Sequence, residues 1–246
     1  MTLPLTVSLK DQAALVTGGA SGLGAALCRQ LAERGARVMV ADLREGAAQS
    51  LAQQLVAEGK QVEAVGCDVG DTAQAERAVR YTMDRFGAID VLVNNAGVDV
   101  TCSLAELEVQ DWERVLRTNL QGPFVLTRAA TRHMMGRGRG QVVNITSTAA
   151  KRQWPNAVAY HASKTGLLAL SHALHAELRP AGIKVMAVIA GGMSTPFLLD
   201  RFPGIDRGAL QDPANVALAI CELLQLPAAT VVPEITILPM RETSWP

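Results

Sequence analysis

Residues 13–42 read AALVTGGASGLGAALCRQLAERGARVMVAD, and this stretch decides the fold. Ala13 to Thr17 is a short apolar run, GGASGLG follows, and Ala25 to Leu31 takes up helical spacing: strand, glycine loop, helix. Arg37 to Ala41, RVMVA, is a second strand that ends at Asp42. Gly18, Gly22 and Gly24 let the backbone turn tightly and approach a pyrophosphate, whose charge the free amides and dipole of the helix N-terminus would meet. The spacing G-x-x-x-G-x-G is neither the G-x-G-x-x-G fingerprint nor a P-loop, and a glycine turn alone can simply cap a helix. Asp42 strengthens the nucleotide reading. A carboxylate there accepts hydrogen bonds from the adenosine ribose hydroxyls and repels a 2′-phosphate, which favours NAD over NADP. It would equally serve to cap the helix starting near Glu45, and the neighbouring Arg44 keeps NADP open.

Outward from this unit, strands and helices keep alternating. Gln61 to Val65 is a third strand with Cys67-Asp68-Val69 at its end, where a carboxylate reaches toward an adenine amino group. Asp71 caps the next helix, with Gln74 in the reciprocal position. Ile89 to Val93 is a fourth strand, ending in Asn94-Asn95-Ala96-Gly97, either a close approach to a ligand or an ordinary asparagine-glycine turn. A long helix runs from Asp111 to Met135 with Pro123 inside it or at a local break. Asn119, mid-helix, competes for backbone hydrogen bonds, so some compensation is expected there, water held by a distorted helix being one form of it. Ile183 to Ile189 is a sixth strand, ending in Ala190-Gly191-Gly192, and Glu234 to Leu238 is the last. This order predicts an α/β fold with a parallel, doubly wound sheet and a ligand at its carboxyl edge.

The length fits a single domain over residues 1–246. With 23 basic and 23 acidic side chains, nothing in the charge favours nucleic acid or an anionic membrane as partner. MTLPLTVSLK does not read as a signal peptide, and no apolar stretch reaches spanning length. Cys28, Cys67, Cys102 and Cys221 lack metal-ligand spacing, which suits reduced thiols in a cytoplasmic protein and predicts no metal. His172 and His175 share a helix face, more in keeping with packing or an interface than with metal.

The chemistry gathers in residues 141–164, QVVNITSTAAKRQWPNAVAYHASK, the fifth strand and the helix after it. Tyr160 and Lys164 lie one turn apart on one helix face, where the ammonium would lower the pKa of the phenol toward neutrality. Ser147, at the strand end, would aim its hydroxyl at the same substrate oxygen. A lone Tyr-x-x-x-Lys occurs by chance; Ser147 and the nucleotide motifs reverse those odds.

With TGGASGLG, NNAG, the Asn119 helix and Ser147…Tyr160-His-Ala-Ser-Lys164 in this order, the chain resembles the short-chain dehydrogenase/reductase family, in its compact single-domain branch. The resemblance implies a Rossmann-like sheet of seven parallel strands flanked by helices on both faces, a nicotinamide cofactor, and a homo-oligomer, tetramer or dimer. It makes Tyr160 the proton donor or acceptor and Ser147 the group that positions substrate oxygen. Lys164 would bind the nicotinamide ribose, and Asn119 would hold a water linking Lys164 to solvent. Cofactor contacts would come from Gly18, Ser21, Gly22, Leu23, Gly24, Asp42, Leu43, Asp68, Val69, Asn95, Ala96, Gly97, Tyr160, Lys164, Gly191, Met193 and Thr195. Ser21, where NADP-preferring members often carry a basic residue, joins Asp42 in pointing to NAD. The chain departs from the family in having Ala190-Gly191 where Pro-Gly is usual, and in its ending, PEITILPMRETSWP.

The expected activity is NAD(H)-dependent interconversion of a secondary alcohol and a ketone. An NADP(H)-linked carbonyl or 3-oxoacyl reductase is the alternative within enzymes, and a non-catalytic nucleotide-sensing scaffold the alternative outside them. Trp154, Met193, Phe197 and Leu198 flank the substrate position and suggest a mainly apolar substrate, or else form the core of a lid around residues 192–212. Lys151 and Arg152 either bind a substrate carboxylate or form a solvated loop.

Overall fold

The computed structural model describes residues 7–242; the readings of MTLPLT at the start and of TSWP at the end lie outside the described residues. Seven strands, β1 (Ala13–Thr17), β2 (Arg37–Asp42), β3 (Val62–Gly66), β4 (Val91–Asn94), β5 (Gly140–Ser147), β6 (Ile183–Ala190) and β7 (Glu234–Ile237), form one parallel sheet in the order β3-β2-β1-β4-β5-β6-β7. The strands read as continuous apolar runs because both sheet faces are covered. On one face, helices α1 (Gly22–Glu33), α2 (Glu45–Ala57) and α8 (Pro213–Leu224) bury Leu27, Leu31, Leu55, Ile220 and Leu224 against Val16, Val40 and Val188. On the other, α3 (Thr72–Phe86), α5 (Gly122–Arg137) and α6 (Val158–Leu178) bury Val79, Leu126, Met134 and Leu178 against Leu15, Leu92 and Val185. Strand order reverses between β1 and β4, so the loops after these two strands diverge and leave a crevice at the carboxyl edge, where doubly wound sheets take ligands.

The long helix expected over 111–135 is three pieces: α4 (Val109–Leu116), a π-helical turn over Arg117–Gln121, and α5. The wider turn closes with Gly122 N–H donating to the Arg117 carbonyl, and the buried Asn119 side chain is its reason. Pro123, without an N–H to donate, follows directly on the π-helical turn at the start of α5. Helix α6 starts at Val158, since Asn156 just before it holds a left-handed backbone, φ 67°, that no helix accepts. The reciprocal cap also differs. Asp71 accepts from Gln74 N–H at 2.9 Å, but the Gln74 side chain turns to the backbone amide of Asp68, 3.1 Å away, and so secures the loop after β3 instead.

After β6 the chain leaves the sheet, runs through the short helix α7 (Pro196–Leu199) and returns where Met193 bridges to Gln211. At its base, Gly191 N–H donates to the Ile237 carbonyl at 2.9 Å and Gly192 N–H to Glu242 Oε2 at 3.2 Å.

Candidate active site

The nucleotide half of the crevice is built from glycine. Gly18 and Gly22 hold positive φ, 60° and 52°; a Cβ on Gly18 would meet the Ala96 backbone at 2.8 Å, and one on Gly24 the Gly18 carbonyl at 2.0 Å. Side chains are therefore excluded on steric grounds. Ser21 caps α1 without a side-chain hydrogen bond and no acidic residue occupies the first turn, so the amides of Gly22, Leu23 and Gly24 face the crevice with no competing carboxylate. That cradle fits a pyrophosphate. Thr195 closes it from the far side, with its methyl 3.1 Å from where a Gly22 Cβ would stand.

Asp42 does not cap α2. Its carboxylate accepts from Ala20 N–H at 3.0 Å and from Arg44 N–H at 2.9 Å, tying the glycine loop to the end of β2. The Arg44 guanidinium donates to the Ser21 hydroxyl at 2.8 Å and lies 3.5 Å from Asp42 Oδ1. Acid and base thus share the adenosine end, beside exposed Leu43. Asp68 accepts from Gly70 N–H at 2.8 Å, and Val69 is buried against Gly122. The Asn95 side chain is spent on structure: it donates to the Thr17 and Gly18 carbonyls at 2.9 and 3.1 Å and locks the loops after β1 and β4 together. Behind it, Asn94 and Asn144, paired across β4 and β5, share a buried hydrogen bond of 2.8 Å.

The reacting half gathers Ser147, Tyr160, Lys164, Asn119 and Gly97. Lys164 is buried and its Nζ donates to the Ile145 carbonyl at 2.9 Å, while a Cβ on Gly97 would stand 3.6 Å from that Nζ and 3.5 Å from Asn119 Oδ1. The Asn119 side chain is fully engaged: Oδ1 accepts from Val98 N–H, and Nδ2 donates to the Val98 carbonyl at 2.7 Å and to Ser163 Oγ at 3.0 Å. It pins the Asn-Asn-Ala-Gly loop to α6.

The electrostatics differ from the expectation. Burial pushes the Tyr160 phenol up to about 12; the Ser147 hydroxyl, hydrogen-bonded to it, opposes the rise, Asp99 adds to it and Arg201 works against it. Burial pulls the Lys164 ammonium down to about 8, with Asp99 holding it up. Desolvation works against the charged form of each group, so the Lys164 cation does not by itself bring the phenol to neutrality.

Two residues of this site have no counterpart in the sequence reading. Asp99, two positions beyond Gly97, accepts from Val100 N–H at 2.7 Å and from Arg201 at 3.2 Å. Arg201, just past α7, stacks its guanidinium 4.4 Å over the Phe197 ring, whose centroid is 6.0 Å from that of Tyr160. A charged residue just past the end of Asn-Asn-Ala-Gly, after Val98, was the available signal for Asp99; nothing local marks Arg201. His161 was also missed: its ring bonds the Ala149 carbonyl at 2.8 Å and accepts from Trp154 N–H at 3.1 Å, holding the loop between Ser147 and α6. Trp154 sits on that loop, edge-on to His161. Lys151 and Arg152 lie on an exposed loop, where Lys151 pairs with Glu234, 3.0 Å away, and His172 contacts the same carboxylate at 2.9 Å. Among the described residues no three His, Cys, Asp or Glu side chains converge as metal ligands.

Known proteins are similar to this chain in sequence and in fold. A profile described as short chain dehydrogenase matches residues 12–204. D-Threitol dehydrogenase of Mycolicibacterium smegmatis is 39% identical over 73% of this chain and 69% of its own length. The crystal structure of 3-ketoacyl-(acyl-carrier-protein) reductase from Brucella melitensis, complexed with NADH, superposes with a TM-score of 0.86 at 29% identity, covering 95% of this chain and 99% of that one. A metagenomic short-chain oxidoreductase in complex with NADP superposes at 0.83 and 28% identity, covering 95% and 100%.

Proposed function

The chain belongs to the short-chain dehydrogenase family, and from that premise we propose that it interconverts a secondary alcohol and a ketone, with NAD(H) as the hydride carrier and Tyr160 as the proton donor and acceptor. The observation that carries this reading is the convergence of Ser147, Tyr160 and Lys164 at the mouth of the glycine cradle. When bound, the nicotinamide would supply the hydride donor or acceptor. The amides of Gly22 to Gly24 would hold the pyrophosphate, Asp42 the adenosine ribose, and Lys164 the nicotinamide ribose. Thr195, with Gly191 and Met193 beside it, would close over the nicotinamide end. In reduction, Ser147 donates a hydrogen bond to the carbonyl oxygen and Tyr160 delivers its proton as negative charge develops there. In oxidation the same phenol oxygen takes the hydroxyl proton, and a water on the Asn119 backbone would connect Lys164 to solvent. Trp154 and Phe197 would flank the substrate, and residues 192–212 would act as its lid.

The decisive experiment follows reduced-nicotinamide absorbance with secondary alcohols and ketones beside the Tyr160→Phe variant. Turnover in that variant should fall by about 10²–10⁴-fold while NADH binding stays within severalfold; undiminished turnover would refute the role of Tyr160.

A second reading, an NADP(H)-linked carbonyl or 3-oxoacyl reductase, is favoured by one observation: Arg44, exposed and bonded to Ser21, stands beside Asp42 with a guanidinium able to meet a 2′-phosphate. We further propose a cytoplasmic homo-oligomer, dimer or tetramer. Exposed Leu104, Val109, Phe124 and Met135, on and beside α4 and α5, support the assembly.

A further inference from the structure

We propose that Asp99 and Arg201 determine substrate specificity, together binding a second hydroxyl next to the reacting carbon, so that the protein prefers vicinal diols and their α-hydroxyketones over plain secondary alcohols and ketones. This rests on the oxidoreductase reading above.

The pair is an anomaly in its setting. Its walls are Phe197, under the guanidinium, and beyond that ring Tyr160. The Asp99 side chain is 6% exposed and that of Arg201 21% exposed. A buried ion pair holds its ground only when the remaining donors and lone pairs are also satisfied. Arg201 falls short of that: one nitrogen meets Asp99 Oδ2, and among the described residues its other N–H groups have no protein acceptor. A substrate that displaces water from this corner therefore has to replace what the water gave. An alkyl group cannot. A hydroxyl can, accepting from Arg201 and donating to Asp99 at once. A carboxylate would suit the guanidinium but meet the Asp99 anion beside it. Phe197 links the pair to the reacting centre: its ring carries the guanidinium at 4.4 Å and its centroid lies 6.0 Å from that of Tyr160. A two-carbon diol is short enough to meet the pair with one hydroxyl while presenting the other to Tyr160.

The reaction balances simply. The carbinol C–H bond breaks and its hydride reduces NAD+ to NADH; the O–H proton passes to Tyr160 and on to solvent, and the diol becomes an α-hydroxyketone. The Asp99–Arg201 pair is unchanged throughout.

The test measures kcat/KM for 2,3-butanediol and for 2-butanol with NAD+, using the full chain and its Arg201→Met and Asp99→Asn variants, with 3-hydroxybutyrate as an anionic comparison. A site built to hydrogen-bond a hydroxyl rejects the analogue lacking it strongly. The expected diol preference is about a hundredfold or more, collapsing at least tenfold in each variant. Because the ratio is taken within one preparation, partial loss of folded protein leaves it unaltered. A ratio near one in the unaltered chain, a ratio the variants do not change, or a stronger dependence of 3-hydroxybutyrate than of the diol on Arg201 would overturn the inference while leaving the oxidoreductase reading intact. Absence of turnover on every compound in both directions, with NADH bound, would bring down that reading, and this inference with it.

Discussion

At the residue scale, the central fact is that burial moves Tyr160 and Lys164 in opposite directions, phenol up to about 12 and ammonium down to about 8. The phenol thus keeps its proton through the neutral range, the form needed to protonate a developing alkoxide. Carbonyl reduction should accordingly hold level across neutral pH, whereas alcohol oxidation, which needs the phenol oxygen bare, should climb toward alkaline pH; paired pH profiles of kcat/KM check this. Stability carries its own signature. Between about pH 8 and the ordinary lysine value of 10.5, the unfolded chain holds a proton on Lys164 that the folded chain lacks, so this residue makes stability rise with pH across that window. Urea midpoints at pH 8, 9 and 10 should show Lys164→Met losing that rise, an effect on the order of a few kcal/mol. On the proposed NAD(H) reading, Asp42→Ala should relax discrimination against NADPH by on the order of tenfold or more in competitive titration, because the carboxylate proposed to meet the adenosine ribose is gone. Ser147, Tyr160 and Lys164 were legible in sequence since strand end and helical spacing fix where they point. Asp99 and Arg201 were not: they stand 102 residues apart, and only the path of the chain after β6 brings them together.

At the scale of elements, strands β1 and β2 were readable almost to the residue, because a parallel strand covered on both faces is an unbroken apolar run. The 111–135 region was readable as helical but not as three pieces. Periodicity cannot distinguish a π-helical turn from an α-helix interrupted by proline, and the signal that mattered was one buried asparagine. Caps were less legible still. The Gln74 amide had two donors within reach, and choosing the Asp68 amide over that of Asp71 depends on the loop's path rather than on spacing. The glycine loop admits a sharp prediction. A methyl at Gly24 would lie 2.0 Å from the Gly18 carbonyl, so Gly24→Ala has to displace backbone, not a flexible side chain. Thermal or urea unfolding should show a loss of about 1–3 kcal/mol, and fluorescence titration a weakening of NADH binding larger than that caused by the same change at exposed Gly46.

At the scale of the molecule, the switch in strand order between β1 and β4 gathers the elements of the candidate site at the carboxyl edge of the sheet. Exposed Phe124 and Met135 on α5 lead to a further expectation: light scattering should find a dimer or tetramer, and Phe124→Asp should shift it toward smaller species if α5 forms the contact. Glu242, the last described residue, also belongs to this edge. Glu242 bonds the Gly192 amide, at the point where the backbone leaves β6 for the segment bearing Thr195, Phe197 and Arg201. Whatever disturbs Glu242 therefore pulls at the base of the segment that carries Thr195, Phe197 and Arg201, and a purification handle placed close behind it is a perturbation of the candidate site in disguise. Kinetic constants from carboxyl-tagged and amino-tagged protein should not be pooled.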